Sequence, residues 1–232
     1  MKFIKHKALT NNINYIYYEC QLIPKINNFI PELINISKSE ATNYNNKQAN
    51  RSDNNRSFLT LYSDVFVGLL TEYIWEYFLN NRIKVKDSCF VSKTSYSPEI
   101  DQIDLITHNN HTIEVRSSNV RNGILFAINN FDILGPYTNK YKPHEDFKSF
   151  YLRTLYTLTT EQILLSLKND RPISLYLMGG ATRSMMENDD LVVFKDLKPF
   201  YDRSGYTSKY RCIPIKSGLD ADDIILELNR LD

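Results

Sequence analysis

Hydrophobic periodicity predicts one long helix in the first half of the chain. Between residues 58 and 81 the apolar side chains at 62, 66, 69, 70, 73 and 77 follow a 3.6-residue period. Asn80 and Asn81 then interrupt the pattern, and side chains of this type favour a helix end. We therefore expect an amphipathic helix over residues 58–81.

The N-terminal residues contain two apolar stretches. Residues 13–23 are rich in Tyr and Ile, which is typical of a strand. Residues 29–36 predict a helix, because Pro31 suits a first helical turn. Residues 39–57 contain almost no large aliphatic side chain, so burial cannot offset the entropy of ordering them. We expect a loop there.

Shorter patterns predict the remaining elements. Strands are expected at 82–92, 103–107, 111–117, 126–137, 173–178 and 211–215, and helices at 145–168 and 220–231. Gly135-Pro136 is expected to end one strand and Gly179-Gly180 to form a turn after another. The order predicts an α/β fold with a mixed central sheet flanked by helices, as one core domain over 58–232 preceded by an extension over 1–57.

Composition narrows the class of protein. Hydrophobic residues make up 42% and charged residues 24% of 232 residues, and no apolar run is long enough to cross a bilayer. The first residues lack the apolar stretch of a secretory signal, so a soluble, cytoplasmic protein is expected. The three cysteines are far apart and predict buried thiols with no disulfide framework or zinc site. They are Cys20, Cys89 and Cys212.

The charge balance restricts any contact with nucleic acid to a local surface. The chain has 28 Lys and Arg against 27 Asp and Glu, a net charge of +1. Basic residues in the second half alternate with tyrosines, a mixture that suits phosphates and bases, although solvated loop charges are the alternative interpretation. The candidate DNA-binding residues are Lys140, Lys142, Lys148, Arg203, Lys209 and Arg211.

Two acids occupy unusual positions within the apolar strands at 103–107 and 111–117. Asp104 lies between aliphatic residues in the first, and Glu114 does so in the second, with Arg116 on the same strand face. A three-residue turn would place the two acids opposite each other, about 5 Å apart at Cβ. A two-residue turn would instead place Leu105 opposite Glu114 and separate the acids.

Two carboxylates held this close repel each other unless a cation lies between them, and Mg²⁺ accepts such ligands together with water and phosphate oxygens. The pattern therefore predicts a Mg²⁺ site, with Mn²⁺ as a possible substitute, suited to phosphodiester hydrolysis. The preceding helix offers a third acid, Glu72 or Glu76. Gly68 lies one turn before Glu72 and permits close packing, which favours Glu72.

The string EIDQIDLITHNNHTIEVRSS, preceded by VGLLTEYIWEYFL, resembles the PD-(D/E)xK nuclease superfamily. That resemblance implies a mixed sheet flanked by helices and Mg²⁺-dependent cleavage of DNA or, less often, RNA. It assigns Asp104 as the first metal-binding aspartate, Glu114 as the second acid, Glu72 as the helical glutamate and Arg116 as the counterpart of the family's lysine. Because arginine stays protonated, Arg116 would stabilise transition-state charge and would not act as a general base.

Chain length makes a self-contained type II restriction endonuclease the most similar member, which implies a homodimer acting on double-stranded DNA. A non-catalytic DNA-binding protein on the same fold and a structure-specific repair nuclease are the alternatives. Asp104 and Glu114 could also be edge-strand charges that oppose aggregation. His108 and His111 are expected in an exposed turn, because two histidines without further ligands do not make a zinc site.

Overall fold

A computed structural model describes residues 1–10, 13–43, 57–83, 91–93, 103–139, 143–198 and 207–231. The described strands are β1 Lys2–Thr10, β2 Ile13–Leu22, β3 Val91–Lys93, β4 Leu105–Thr107, β5 Thr112–Asn119, β6 Asp132–Thr138, β7 Phe150–Tyr156, β8 Ile173–Thr182, β9 Val193–Leu197 and β10 Ser208–Pro214. The described helices are α1 Phe29–Asn43, α2 Phe58–Asn80, α3 Ile124–Asn130, α4 Thr160–Lys168, α5 Arg183–Glu187 and α6 Ala221–Arg230.

These elements form a mixed α/β fold with two sheets. The large sheet has seven strands in the order β1-β2-β8-β7-β5-β4-β3, and the small sheet has the order β6-β10-β9. Strands β5 and β7 are parallel, while the other strand pairs are antiparallel. The expected mixed sheet with flanking helices is confirmed. None of the described helices has the length and apolar character needed to cross a membrane.

The predicted helix α2 is confirmed, with its end at Asn80 as expected. Ser57 begins it by accepting a hydrogen bond from the Thr60 N–H at 3.1 Å. The helix buries Phe66, Leu70 and Ile74 in the core on one side of the large sheet, which α1, α4 and α6 also cover. Trp75 is fully buried and donates its indole N–H to the Thr154 hydroxyl at 2.8 Å. That bond fixes α2 across β7, next to β5.

The N-terminal region is part of the same sheet. Strand β2 pairs with β8, and β1 forms the outer edge beyond β2. Strands from both sides of residue 57 therefore share one sheet. The sequence pattern predicted β2 and α1 but not β1, and α1 continues to Asn43 where a loop was expected from residue 39. The rest of the expected loop, 44–56, lies outside the described residues.

The prediction of a helix over 145–168 was wrong in its first half. Phe150–Tyr156 is strand β7, buried at every position, and only Thr160–Lys168 is helical. A continuous apolar run fits either a buried strand or a helix, so its periodicity does not separate the two. Thr159 and Gln162 form a reciprocal capping box at the start of α4. That motif was the overlooked signal that the helix starts late.

Three other boundaries differ from expectation. Residues 124–130 form helix α3 before the strand β6, which continues through Gly135-Pro136 to Thr138. Strand β8 continues through Gly179-Gly180 to Thr182, so the predicted turn was wrong. A Cβ on Gly179 would lie 2.2 Å from the Leu219 carbonyl oxygen, which shows that the glycine permits close approach of the 219–220 segment.

Candidate functional site

The turn between β4 and β5 contains three residues, 108–110. The Thr107 N–H donates to the His111 carbonyl at 3.0 Å and closes the turn. Asn110 adopts a left-handed backbone conformation with φ of 62°. Asparagine tolerates this conformation better than most residues, so the sequence HNNH suits the turn. His108 is exposed, as expected, and His111 is half-buried.

The turn sets the register of the two acids. Leu105 pairs with Ile113, so the position before Leu105 faces the position after Ile113. Asp104 therefore lies opposite Glu114, as the three-residue turn predicted, and the alternative pairing of Leu105 with Glu114 was wrong. Residues that face each other across an antiparallel pair have Cβ atoms about 4.5–5.5 Å apart.

The Asp104 carboxyl group lies in an electrostatically unfavourable environment. Its Oδ2 accepts a hydrogen bond from the Val115 N–H at 2.6 Å. Burial raises the pKa of Asp104 well above its usual value, and the charges of Glu114 and Glu72 raise it further. The hydrogen bond from Val115 opposes that rise but does not cancel it. Negative charge is therefore concentrated around Asp104.

The helical acid that acts on Asp104 is Glu72. Its charge contributes to the raised pKa of Asp104, so α2 brings it close to the strand pair. Glu76 instead contributes to the raised pKa of Tyr73, for which burial is the larger cause. Both glutamates are half-buried. The charge that Glu72 exerts on Asp104 thus favours Glu72 over Glu76 as the helical acid.

Arg116 lies beside Glu114 and is held on several sides. Its Nη2 is 3.0 Å from Glu114 Oε1 and 3.5 Å from Glu145 Oε2. Its guanidinium carbon is 5.3 Å from the ring centroid of Tyr137 and 5.5 Å from that of Tyr210. Burial alone would lower the pKa of Arg116, but the neighbouring acids and tyrosines raise it, so the guanidinium stays charged.

Glu145 is a site residue that sequence reasoning missed. It is buried, and it also accepts a hydrogen bond from the Tyr137 N–H at 2.8 Å. Glu145 lies 29 positions after Arg116 in the chain and was assigned to a helix, so no local motif linked the two residues. Its contacts fix Arg116 between two carboxylates.

The chemistry of the donors fits a hard divalent cation. Asp104 and Glu114 offer carboxylate oxygens, which Mg²⁺ prefers, and the raised pKa of Asp104 records negative charge that a cation would offset. Within the described residues, no three His, Cys, Asp or Glu side chains form a group able to hold a metal ion. A bound ion would therefore take its remaining ligands from water or from a phosphate, as Mg²⁺ commonly does.

The candidate DNA-binding residues do not share one environment. Lys140, Lys142 and Arg203 lie outside the described residues. Lys148 is buried at 5% exposure, which differs from the alternative interpretation of solvated loop charges. Lys209 is exposed on β10, with Nζ 4.9 Å from the Phe194 ring centroid. Arg211 is half-buried and forms an ion pair with Asp189 at 2.5 Å.

Two of the three cysteines fulfil the prediction of buried thiols. Cys20 and Cys212 are both fully buried and free, and Cys89 lies outside the described residues. Burial raises the pKa of Cys20 to about 12 and that of Cys212 to about 11. Neither thiol is suited to act as a nucleophile at neutral pH.

No protein-family model matches the chain, and searches of characterised proteins and of solved structures find no match either. The resemblance to PD-(D/E)xK nucleases therefore stays a prediction. It depends on Asp104, Glu114, Glu72 and Arg116 and on the order of the surrounding elements.

Proposed function

We propose that the protein is a metal-dependent endodeoxyribonuclease that hydrolyses phosphodiester bonds in double-stranded DNA, with the properties of a type II restriction enzyme acting as a homodimer. The observation that carries the proposal is the register of the β4–β5 turn. It sets Asp104 opposite Glu114, with the charge of Glu72 acting on Asp104 from α2. Two acids thus face each other, and a third acts on one of them through its charge.

The surrounding topology supports the same proposal. Helix α2 precedes the antiparallel strands β3, β4 and β5, and the chain then passes through α3 and β6 before it reaches β7, which lies parallel to β5. The helix and the three strands after it follow the expected order, whereas the next expected helix begins only after β7. The restriction-endonuclease-like fold is proposed on that basis.

Each residue of the site has a role that follows from its contacts. Asp104 and Glu114 would hold Mg²⁺, and the hydrogen bond from Val115 orients the Asp104 carboxylate toward β5. When bound, the ion supplies a water of lowered pKa and offsets charge on the leaving oxygen. Glu72 adds negative charge that strengthens cation binding. Arg116 supplies a fixed positive charge beside Glu114, suited to a phosphate oxygen.

The test is cleavage of mixed plasmid and phage DNA by the full chain with Mg²⁺ or Mn²⁺, compared between wild type and Glu114→Gln. We expect discrete fragments that need the metal and disappear in the variant, with a loss of at least about 10²-fold, as for removal of one charged catalytic group. Asp170→Asn is the matched control. Asp170 is exposed in the turn before β8, and asparagine tolerates its positive φ of 55°.

Three other outcomes would contradict the proposed function, and each would favour a different interpretation. Equal fragments from Glu114→Gln would show that a contaminant or another site cuts DNA. Cleavage of synthetic branched junctions with no cleavage of linear duplex would indicate the structure-specific repair nuclease. Metal-independent retardation of DNA without cutting would indicate a binding protein.

One observation favours that second candidate, a non-catalytic DNA-binding protein. Arg116 contacts Glu114 and Glu145 and lies over two tyrosine rings. Such contacts stabilise a structural arginine, and a nuclease would have to share Arg116 with a phosphate. Cleavage and DNA binding of the Glu114 variant separate the two candidates. Only the nuclease has a cleavage activity to lose when Glu114 is replaced, and it should still bind DNA.

A further inference from the structure

Arg153 is a buried arginine on β7, in the middle of the large sheet. It pairs in register with Arg116 on the adjacent parallel strand β5, so the two side chains lie on the same face of the sheet. The small sheet covers that face, since Arg116 contacts Tyr137 of β6 and Tyr210 of β10. Arg153 is only 2% exposed, so its charge lies between the two sheets.

The guanidinium of Arg153 is incompletely satisfied. Its Nη2 donates to the Ser118 hydroxyl at 2.8 Å. Its Nε and Nη1 are buried and have no hydrogen-bond partner among the described residues, and the same holds for the Nε of Arg116. Buried donors of charged groups are almost always paired, because an unpaired donor has lost its hydrogen bonds to water and has gained none in the protein. Three unpaired donors on two neighbouring arginines therefore indicate a missing acceptor.

The charges around Arg153 indicate what kind of acceptor is missing. Arg116 is offset by Glu114 and Glu145, whereas no carboxylate of the described residues forms an ion pair with Arg153. Asp132 is near enough to influence Arg153, but its carboxylate pairs with Lys195 at 2.6 Å. Burial lowers the pKa of Arg153 to about 10, and the charge of Arg116 contributes to that shift. Water would satisfy the N–H groups and leave the positive charge unopposed.

We propose that Arg153 and Arg116 form a binding site for a small inorganic anion between the two sheets, with Nε and Nη1 of Arg153 as the principal donors. Halides and nitrate fit this description because they are compact and singly charged. A bulky organic anion does not, since the nitrogens are sealed from bulk solvent. Arg116 also contacts Glu114, but the principal donors belong to Arg153, and the proposal does not rest on nuclease activity.

The test is thermal unfolding of the full chain at fixed ionic strength, with sodium gluconate replaced stepwise by bromide, chloride or nitrate. Samples are equilibrated before heating, because entry requires a local opening between the sheets. We expect a saturable rise in Tm on the order of 5 °C once the anion exceeds its Kd about 100-fold. Gluconate, which is too large for the site, should produce none.

Arg153→Met separates this site from general salt effects, because methionine keeps an unbranched apolar stem and removes the charge. The variant should lose the saturable rise. Arg171→Met, which removes an exposed arginine before β8, should keep it. A wild-type Tm that is identical in all anions would overturn the proposal, and so would an equal rise in Arg153→Met, which would assign the effect to the surface.

If Arg153→Met does not fold, a crystal of the wild-type protein soaked in bromide provides a second test of the proposal. The expected result is an anomalous peak within hydrogen-bond distance of Arg153 Nε or Nη1. Bromide peaks elsewhere on the molecule with none at Arg153 would show that the arginine tolerates burial without an anion, and the proposal would fail.

Discussion

Asp104 lies directly across the β4–β5 pair from Glu114, and its carboxylate accepts the N–H of the next residue, Val115, at 2.6 Å. This contact anchors one acid to the backbone of the strand that carries the other. The fold consequently holds the Asp104 carboxylate beside the strand that carries Glu114. The energetic cost of that arrangement makes the site testable even without a nucleic-acid substrate.

Asp104→Asn should raise the Tm at neutral pH when no divalent metal is present. The raised pKa of Asp104 means that the folded chain holds its proton more tightly than the unfolded chain. Stability therefore falls as the pH rises from the ordinary aspartate pKa toward the raised folded value, and above that value the cost is fully present. Asparagine removes the charge and can still accept the Val115 N–H.

Thermal unfolding from pH 4 to pH 8 in a chelator checks this prediction. The gap in Tm between Asp104→Asn and wild type should widen as the pH rises. Mg²⁺ should then stabilise the wild type more than the variant, since a cation offsets charge that only the wild type carries. A variant that is less stable than wild type at every pH would contradict the electrostatic interpretation of the site.

Glu72→Gln and Glu76→Gln form a matched pair on helix α2. The first should weaken Mg²⁺ binding and increase stability in chelator, because Glu72 adds negative charge near Asp104. The second should do neither, since Glu76 acts on Tyr73 instead. Calorimetric titration with Mg²⁺ and Mn²⁺ measures the affinity. Equal effects of the two variants would mean that the helix contributes no specific acid.

The sequence predicted those features of the site that depend on residues close together in the chain. The turn residues HNNH and the acids on either side predict that Asp104 faces Glu114. The sequence favours Glu72 over Glu76 because Gly68 would permit close packing, yet no atom of another described element lies within 4 Å of a Cβ placed at Gly68.

Tyr210 reaches Arg116 from the small sheet, whose pairing joins segments more than 70 residues apart, and Glu145 reaches it from the segment between β6 and β7. Contacts between segments so far apart produce no characteristic residue spacing in the sequence. Strand β7 was missed for a related reason, because burial on both faces removes its alternation.

Asn110 offers a test of the turn itself. Asn110→Val should destabilise the protein by about 1–2 kcal/mol, because a β-branched side chain disfavours its φ of 62°, whereas Asn110→Gly should be nearly neutral or stabilising. Denaturant titration measures the free energy of unfolding. If Asn110→Val is neutral, the turn does not need the left-handed residue, and the register that places Asp104 opposite Glu114 would be in doubt.

Replacing Arg116 distinguishes its structural role from a chemical one. Arg116→Ala removes the positive charge that lies beside Glu114 and Glu145, which should destabilise the fold by about 3–5 kcal/mol. Arg116→Lys keeps the positive charge but loses the planar contact with Tyr137 and Tyr210, and it should retain measurable cleavage.

Cleavage by Arg116→Ala is measured in single turnover at a temperature where the variant is folded, alongside DNA affinity. The rate should fall about 10²–10³-fold while affinity changes little, because a charge aimed at the transition state contributes most there. An unchanged rate in folded Arg116→Ala would restrict Arg116 to pairing with the two glutamates.

Lys209 is the described candidate best placed to contact the DNA backbone, because it is exposed while Lys148 is buried and Arg211 is engaged by Asp189. Lys209→Ala should weaken binding to all sequences alike and reduce the slope of log K against log salt by about 0.9, the value for one phosphate contact. Fluorescence anisotropy with unrelated duplexes over a range of salt concentrations measures both quantities.

The control is Lys25→Ala, which replaces an exposed lysine between β2 and α1 and should leave the slope unchanged. Loss of affinity for one duplex only would assign Lys209 to base recognition, because a phosphate contact carries no sequence information.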